Sequence, residues 1–273
     1  MTVEGERLTV ARRAKTRLDA TLVARALAPS REKAARLILA GAVRVDGRRV
    51  DKAGALVAPS SRVEVTTAPR FVSRGGDKLA HALVAFGVDA RDRVCVDVGA
   101  STGGFTHCLL EAGAARVYAV DVGSHQLDGG LRADPRVVPM DGVNARGLAA
   151  ADFPEAPTLA TVDVSFISLE KVLPAVFGVL APGGEVVALV KPQFEVGKGQ
   201  VGRGGVVRDP ARHRQVLERV ADAAARAGWG ARDVTRSPLR GPAGNYEFFL
   251  HLARGANVSD LGTRIEATAE GKV

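Results

Sequence analysis

The chain has 273 residues, enough for one large or two modest domains, and 46% of them are hydrophobic, which is sufficient for a buried core. Its net charge of +8 indicates a polyanionic partner. No apolar run near the start is typical of a signal peptide, and no apolar stretch is long enough to span a membrane. We therefore expect a cytoplasmic protein without a membrane span.

The positive charge is concentrated near the N-terminus. Residues 1–60 contain thirteen Lys or Arg and six Asp or Glu, a net charge of +7 that leaves the rest of the chain close to neutral. Residues 1–15 are polar and are predicted to be flexible. This distribution indicates a basic N-terminal module, followed by a near-neutral domain of the kind expected for an enzyme.

Two short helices and a small sheet are predicted in the N-terminal module. The apolar residues from Leu18 to Leu27 have helical spacing, Pro29 interrupts them, and Ser30 is a suitable N-cap for a second helix over 31–39. A hairpin with an Asp-Gly turn follows over 43–50.

Basic side chains recur along the second helix and the hairpin, where they can converge on one phosphate-binding face. These residues are Arg31, Lys33, Arg36, Arg44, Arg48 and Arg49. The alternative is a solvated basic face that binds no nucleic acid. Four segments of the module also fit the pattern of a known RNA-binding domain. They are Arg17-Leu18-Asp19, Ser30-Arg31, Ala34-Ala35-Arg36-Leu37-Ile38 and Gly41-Ala42-Val43-Arg44-Val45-Asp46-Gly47. On these residues, 16–66 resembles an S-four-type RNA-binding domain, and the resemblance adds Arg17 to the RNA-binding set.

A ligand-binding turn is predicted after a linker over 67–73 and an amphipathic helix. Val94–Val98 has the pattern of a buried strand, a helix begins at Phe105, and a second strand over 117–120 ends at Asp121. This start of a βαβ unit is typical of sites for adenosine-containing ligands. The glycines allow the backbone to approach the ligand closely, and the carboxylate of Asp121 can accept hydrogen bonds from the ribose hydroxyls. With Ser at 101 and glycines at 99, 103 and 104, the turn suits S-adenosylmethionine better than a dinucleotide.

Strands and helices alternate through the rest of the chain. Strands are predicted at 137–138, 158–164, 185–190, 231–237 and 245–252, and helices at 169–180 and 211–227. They predict an α/β fold over 74–254, with a doubly wound Rossmann-like sheet whose last two strands are antiparallel. The segment 255–273 is predicted to be a C-terminal tail. Ligands bind such sheets at the carboxyl ends of the strands. The charged residues predicted at those ends are Asp97, Asp121, Asp141, Asp163 and Lys191.

The later motifs resemble those of a known family. Ser73–Leu79, Asp97–Thr106, Asp163–Ser168, Val190–Glu195 and Gly204–Asp209 are similar to the TlyA family, also labelled hemolysin A. In that family an S-four-type module precedes an FtsJ/RrmJ-type methyltransferase domain. The resemblance implies a catalytic tetrad of Lys78, Asp163, Lys191 and Glu247.

The same resemblance implies S-adenosylmethionine as the cofactor and cytidine 2′-hydroxyls in ribosomal RNA of the small subunit, the large subunit or both as the substrate. The implied cofactor site comprises Asp97, Gly99, Ser101, Gly103, Gly104, Phe105, Asp121 and Asp141. Asp141 would receive the adenine amino group. Ribosomal subunits are the implied partners, and we expect a monomer.

Several alternatives stay open at this point. The protein could be a membrane-active hemolysin or a non-catalytic ribosome-assembly factor that binds RNA. The glycine-rich segment 193–208 could be a lid that orders over RNA or a flexible surface loop. No metal site is predicted, because no histidines or cysteines have ligand spacing. Cys95 and Cys108 are predicted to be buried and unpaired.

Overall fold

The computed structural model describes residues 15–66, 70–197 and 199–272. Its contacts divide the chain into two compact units, Met1–Pro69 and Arg70–Val273. Residues 1–14 of the segment predicted to be flexible lie outside the described residues. The two units are described separately below.

The first unit contains two helices and two small antiparallel sheets. Its elements are β1 (Thr16–Arg17), α1 (Leu18–Ala24), α2 (Arg31–Leu39), β2 (Val43–Val45), β3 (Arg48–Arg49), β4 (Leu56–Val57) and β5 (Val63–Val65). The three-stranded sheet has the order β3-β2-β5, and β1 pairs with β4. The predicted N-cap is confirmed, because Ser30 Oγ accepts the N–H of Lys33 at 3.2 Å. The Asp46-Gly47 turn is confirmed by φ angles of 51° and 76°.

The second unit alternates strands and helices. Its elements are α3 (Gly75–Phe86), β6 (Val94–Val98), α4 (Gly104–Glu111), β7 (Arg116–Asp121), α5 (Gly129–Arg132), β8 (Val137–Asp141), β9 (Leu159–Val162), α6 (Leu173–Val179), β10 (Glu185–Val190), α7 (Pro192–Glu195), α8 (Pro210–Arg226), β11 (Trp229–Arg236), β12 (Phe248–Arg254) and α9 (Leu261–Glu270). The sheet has the order β11-β12-β10-β9-β6-β7-β8. β12 runs antiparallel to both β10 and β11, whereas the other neighbouring strands pair in parallel, so the predicted doubly wound, Rossmann-like α/β fold is confirmed.

Both faces of this sheet are buried under an apolar cluster. Successive side chains of a strand point to opposite sides, so each strand contributes to both clusters. Val94, Val96 and Val98 belong to the apolar cluster on one face, whereas Cys95 belongs to the cluster on the other. Cys95 and Cys108 are free and buried, as predicted, and burial raises the pKa of both thiols to about 12. The near-continuous apolar runs of the strands follow from this double burial.

The structure corrects the predicted ends of the second unit. Phe71 was assigned to the linker, but it is buried in the apolar cluster that contains Leu79, so residues 70–73 pack with this unit. The segment 255–273 was predicted to be a tail. It instead contains α9, which packs against α8 and β11 and buries Ile265.

Some predicted element boundaries also change. The predicted helix over 169–180 begins as a 3₁₀ turn, Leu169–Lys171, before α6. The predicted strand over 158–164 is shorter, so Asp163 lies one residue beyond β9. Through the three described ranges, no helix combines the length and the apolar character that crossing a bilayer requires.

Candidate active site

The turn between β6 and α4 brings the backbone close to neighbouring segments. Gly99 has a φ of +89°, and a Cβ at this position would lie 2.4 Å from the carbonyl oxygen of Asp163. Gly103 has a φ of +93°, and its Cβ would lie 2.4 Å from Leu131 Cδ1. Both space and backbone conformation therefore favour glycine at these positions. Ser101 lies exposed between them.

Asp97 lies beneath this turn, fully buried. Its carboxylate accepts hydrogen bonds from the hydroxyls of Thr106 at 2.7 Å and Thr161 at 3.1 Å. Burial raises the pKa of Asp97 to about 7, although the two hydroxyls oppose that shift. Asp97 therefore supports the turn from inside, together with the buried side chain of Phe105.

Asp121 is held at the rim of the sheet by two backbone groups. The N–H of Ser101 donates to its Oδ2 at 2.8 Å, and the N–H of Gly123 donates to its Oδ1 at 2.7 Å. Each carboxylate oxygen keeps acceptor capacity for a further hydrogen bond. The hydroxyl of Ser101 also donates to Gln126 at 3.3 Å, a contact that the sequence did not indicate.

Asp141 lies next to Asp121 in the register of β7 and β8. Arg132 donates to its Oδ2 at 2.6 Å, and this hydrogen bond holds the pKa of Asp141 below its ordinary value. An ionised Asp141 can accept hydrogen bonds from an amino group. Val122, 75% exposed directly after Asp121, adds an apolar surface at this rim. Neither Arg132 nor Val122 was singled out from the sequence.

Two of the four predicted catalytic residues form a buried ion pair. Lys78 Nζ lies 2.5 Å from Glu247 Oε2, and the two side chains are 9% and 1% exposed. Lys78 is in the first turn of α3, whereas Glu247 directly precedes β12. The sheet and the helix therefore bring together two residues that are 169 positions apart.

The other two predicted catalytic residues form a second ion pair. Lys191 Nζ lies 2.5 Å from Asp163 Oδ1 and donates a hydrogen bond to Ser165 Oγ at 2.9 Å. Asp163 directly follows β9 and Lys191 directly follows β10. The lysine is therefore held by two groups of the segment that follows the neighbouring strand.

The sheet register brings the two ion pairs to the same edge. Val190 is paired with Phe248 and Ala188 with Val162, so the residues that adjoin these strands lie at three neighbouring strand ends. Adjacent strands are about 4.8 Å apart. Asp163, Lys191 and Glu247 consequently form a row, and Lys78 contacts Glu247 at one end of it.

An aromatic pair lies beside this row and was not predicted. Phe166 is 90% exposed and adopts a φ of 63°, a conformation that is unusual for a residue of this size. Its ring lies 4.8 Å from that of Phe194, and Lys191 Nζ is 5.9 Å from the Phe194 centroid. The aromatic rings at Phe166 and Phe194 were visible in the sequence, but their pairing depends on the fold.

The segment 193–208, for which a lid and a flexible surface loop were both left open, begins within α7, and its Glu195 is buried. Glu195 accepts hydrogen bonds from Ser168 Oγ at 2.7 Å and from the N–H of Leu169 at 2.8 Å. These contacts join the segment after β9 to the segment after β10. The first residues of 193–208 are thus anchored at the site.

The predicted RNA-binding residues of the first unit lie on α2, the hairpin and the start of α1. Arg17 and Arg31 both donate to Asp19 Oδ2, at 2.9 and 3.0 Å, and these guanidinium groups lower the pKa of Asp19. Arg44 lies opposite Arg49 in the hairpin, and Arg36 pairs with Glu32. The exposed members of the set are Arg17, Arg31, Lys33, Arg44, Arg48 and Arg49.

Comparisons with known proteins agree with this architecture. The profile of the FtsJ-like methyltransferase family matches residues 71–254, and that of the S4 domain matches residues 16–63. The 16S/23S rRNA (cytidine-2′-O)-methyltransferase TlyA of Mycobacterium tuberculosis is 50% identical over 245 residues, which cover 89% of this chain and 91% of that protein. The chain belongs to the TlyA family of FtsJ-like methyltransferases.

Other relatives extend over nearly the same length. Hemolysin A of Brachyspira hyodysenteriae is 40% identical, with 86% of this chain and 99% of that protein covered. A solved structure from Streptococcus thermophilus, described as a candidate hemolysin, is 42% identical with a TM-score of 0.76 and covers 94% of this chain and 95% of that chain. The S4 domain and the FtsJ-like domain thus occur in this TlyA-family chain in the predicted order.

The site of this TlyA-family member contains acids and lysines without metal-ligand geometry. Across the described ranges, no cluster of His, Cys, Asp and Glu is arranged to hold a metal ion.

Proposed function

We propose that this protein transfers a methyl group from S-adenosylmethionine to the 2′-hydroxyl of a cytidine in ribosomal RNA. The observation that carries the proposal is the row of two ion pairs, Lys78–Glu247 and Lys191–Asp163, at one edge of a methyltransferase sheet. A buried ion pair such as Lys78–Glu247 contributes little net stability in comparison with apolar residues of the same volume. A chemical role explains them better than a structural one.

The residues at the rim fit the proposed cofactor. The backbone at Gly99 and Gly103 permits close approach, and the doubly anchored carboxylate of Asp121 has acceptor capacity for ribose hydroxyls. Asp141, kept ionised by Arg132, suits the adenine amino group. When bound, S-adenosylmethionine would supply an electrophilic methyl group on a positively charged sulfur, and the methyl–sulfur bond would break with S-adenosylhomocysteine as the leaving group.

The attacking hydroxyl must be oriented, must lose its proton and must be stabilised as negative charge develops on its oxygen. The lysines and acids of the row can provide all three. Lys191, oriented by Asp163 and Ser165, can hold the 2′-oxygen while that oxygen forms its new bond to the methyl carbon. As the hydroxyl proton moves to Lys191 Nζ, one of the ammonium protons of Lys191 moves to Asp163 Oδ1, so the carboxylate takes up the net proton. Lys78, fixed by Glu247, supplies a positive charge beside the oxygen as negative charge develops on it.

The surroundings of the site suit a nucleotide of RNA. The exposed ring of Phe166 beside Phe194 offers a flat apolar surface on which an unstacked base can stack. The basic surface of the first unit can bind phosphates, although Asp19 and Glu32 offset part of its charge. Ribosomal subunits are the proposed partner, consistent with the substrates named for the relatives.

Replacement of Lys191 by alanine tests the proposal. In the presence of ribosomal subunits and tritiated S-adenosylmethionine, we expect Lys191→Ala to lower methyl transfer by about 10²–10⁴-fold, because the hydroxyl loses its orienting group and its proton acceptor. The dissociation constant of S-adenosylmethionine, measured by calorimetry, should not change. The matched control is Lys171→Ala, an exposed lysine of the same unit.

Nuclease digestion and mass spectrometry of the labelled RNA would locate the methyl group. A label on a base, or on a ribose other than cytidine ribose, would contradict the proposed product. Methyl transfer by Lys191→Ala at the rate of Lys171→Ala would remove Lys191 from the mechanism.

A further inference from the structure

Two guanidinium groups stack on one tyrosine beside the candidate catalytic row. The Cζ atoms of Arg236 and Arg240 lie 3.3 and 3.9 Å from the ring centroid of Tyr246. Arg240 also donates a hydrogen bond to the Tyr246 hydroxyl. Tyr246 directly precedes Glu247, so the two arginines lie next to one of the proposed catalytic residues.

The backbone fixes this position. Arg236 is paired with Phe248 in the register of β11 and β12, and the N–H of Ser237 donates to the carbonyl of Glu247 at 2.9 Å. The arginines are therefore at the same edge of the sheet as Lys191. Stacking on an aromatic ring restricts the motion of a guanidinium group and leaves its N–H donors at the edge of the stack.

The segment that contains a third arginine, Arg208, is attached by hydrogen bonds to the buried Asn245, which directly precedes Tyr246. Asn245 Oδ1 accepts the N–H of Val207 at 2.9 Å, and Asn245 Nδ2 donates to the carbonyl of Gly205 at 2.9 Å. Arg208, which follows Val207, is exposed and lines a cleft of about 230 Å³. The motif Gly204–Asp209, which the catalytic proposal leaves without a role, is thereby attached to the segment that carries Tyr246.

The charges of this cluster are not neutralised by neighbouring acids. Many arginines of the second unit are in ion pairs, such as Arg93 with Glu185 and Arg116 with Glu155. None of the ion pairs found within 70–197 and 199–272 includes Arg208, Arg236 or Arg240. Glu247, the acid next in sequence to Tyr246, is paired with Lys78.

We propose that Arg208, Arg236 and Arg240 bind phosphates of the RNA strand next to the nucleotide that is methylated. The inference rests on the proposed function and adds a second RNA contact, on the methyltransferase unit itself. Guanidinium groups match phosphate oxygens in a bidentate geometry, and like charges held this close together favour a polyanionic ligand. Tyr246 positions the two arginines that stack on it.

The cofactor carboxylate is a less suitable ligand for the cluster. The cofactor turn follows β6, whereas Tyr246 precedes β12, and β9 and β10 lie between these strands. Three strand spacings of about 4.8 Å separate β6 from β12. The cluster is consequently on the substrate side of the ion-pair row.

The test compares two double variants that lose the same charge. Arg236→Gln/Arg240→Gln removes the stacked pair. Arg91→Gln/Arg116→Gln removes two exposed arginines at the opposite edge of the sheet, near the starts of β6 and β7. KM for purified ribosomal subunits is measured with full-length protein and tritiated S-adenosylmethionine between about 50 and 200 mM salt.

We expect KM of the Arg236/Arg240 variant to rise about tenfold or more at the lower salt concentration, where phosphate contacts contribute most to affinity, with kcat changed less. The slope of log KM against log salt concentration should fall by about two, one for each lost phosphate contact. The control variant should retain the KM and slope of the wild type. Arg236→Lys/Arg240→Lys, which retains the charge, should recover part of the affinity.

Three results would overturn the inference. The first is a KM and a salt slope equal to those of the control variant. The second is weaker binding of S-adenosylmethionine by the same factor, which would assign the cluster to the cofactor. The third is a lower melting temperature that accounts for the loss. Failure of the proposed function would be distinguishable, because the wild-type protein itself would then transfer no methyl group to the subunits.

Discussion

At the scale of single residues, the buried Asp97 beneath the glycine-rich turn makes the stability of the protein depend on pH. Its pKa in the folded protein is about 7, because it is fully buried, whereas an aspartate in an unfolded chain ionises near pH 3.8. Between these values the folded state binds the proton more tightly, so the contribution of Asp97 to stability falls as pH rises through this window. Asp97→Asn cannot ionise and should lack this decline.

We expect the free energy of unfolding of Asp97→Asn, relative to wild type, to increase by about 3 kcal/mol between pH 5 and pH 8. Urea unfolding at a series of pH values measures this difference. Asp222→Asn, at an exposed position of α8, is the control and should show no comparable trend. A pH-independent difference for Asp97→Asn would mean that Asp97 is ionised in the folded state throughout this range.

The sequence predicted where these residues lie better than what they contact. Asp163 and Lys191 could be placed at strand ends, because uninterrupted apolar runs mark the buried strands before them. The pairing of Lys78 with Glu247 could not be derived, since it depends on where α3 docks on the sheet. Likewise, nothing in the glycine pattern indicated that Asp97 points into the core toward two threonines.

At the scale of elements, Glu195 of α7 joins the two segments that carry Lys191 and Asp163. Glu195→Ala leaves the N–H of Leu169 and the hydroxyl of Ser168 without their acceptor, which should cost about 1–3 kcal/mol. We also expect a lower kcat with unchanged cofactor affinity, because Lys191 and Asp163 are no longer held in one arrangement.

Glu218→Ala is the matched control, since it removes an exposed glutamate that pairs with Arg214 within α8. Exposed pairs of this kind contribute about 0.5 kcal/mol. Chemical unfolding and single-turnover methyl transfer measure the two effects. Equal kcat values for both variants would show that Glu195 has no influence on the catalytic row.

Helix α9 accounts for the largest correction to the predicted elements. Leu261, Ile265 and Ala269 have the spacing of one helical face, but the segment is short and is surrounded by polar residues, so its apolar face was not recognised. We expect Ile265→Ala to reduce stability by about 2–5 kcal/mol, because Ile265 is fully packed against the sheet cluster.

Thermal unfolding of Ile265→Ala and of Thr263→Ala, an exposed position of the same helix, measures the effect. The threonine variant should lie within about 0.5 kcal/mol of wild type. If both variants unfolded like the wild type, α9 would not be part of the cooperative core.

At the scale of the whole molecule, the proposals assign phosphate contacts to both units and methyl transfer to the second unit. Arg44→Gln/Arg48→Gln removes two exposed charges of the first unit and should weaken binding to ribosomal subunits and reduce its salt dependence. Cofactor affinity should be unchanged. Arg62→Gln, whose arginine pairs with Glu64, is the control in the same unit. Calorimetry with S-adenosylmethionine and filter binding with subunits separate the two outcomes.

Equal subunit binding by Arg44→Gln/Arg48→Gln and by Arg62→Gln would assign RNA affinity to other residues. The order of the two units was evident in the sequence, because charge and hydrophobic pattern change together near residue 66. The contact boundary, between Pro69 and Arg70, lies within the predicted linker, 67–73. Phe71 follows a proline and an arginine, so local composition did not reveal its burial.

The position of the antiparallel strand β12 has a consequence for how the sheet folds. Although β12 follows β11 in the chain, it lies inside the sheet, between β10 and β11. Until β12 is inserted, β11 lacks its partner strand in the sheet. Lys78 likewise lacks the carboxylate of Glu247, which lies 169 residues further along the chain. Truncation of the chain before Glu247 would therefore leave β11 and Lys78 without these partners, and the proposed catalytic row would be incomplete.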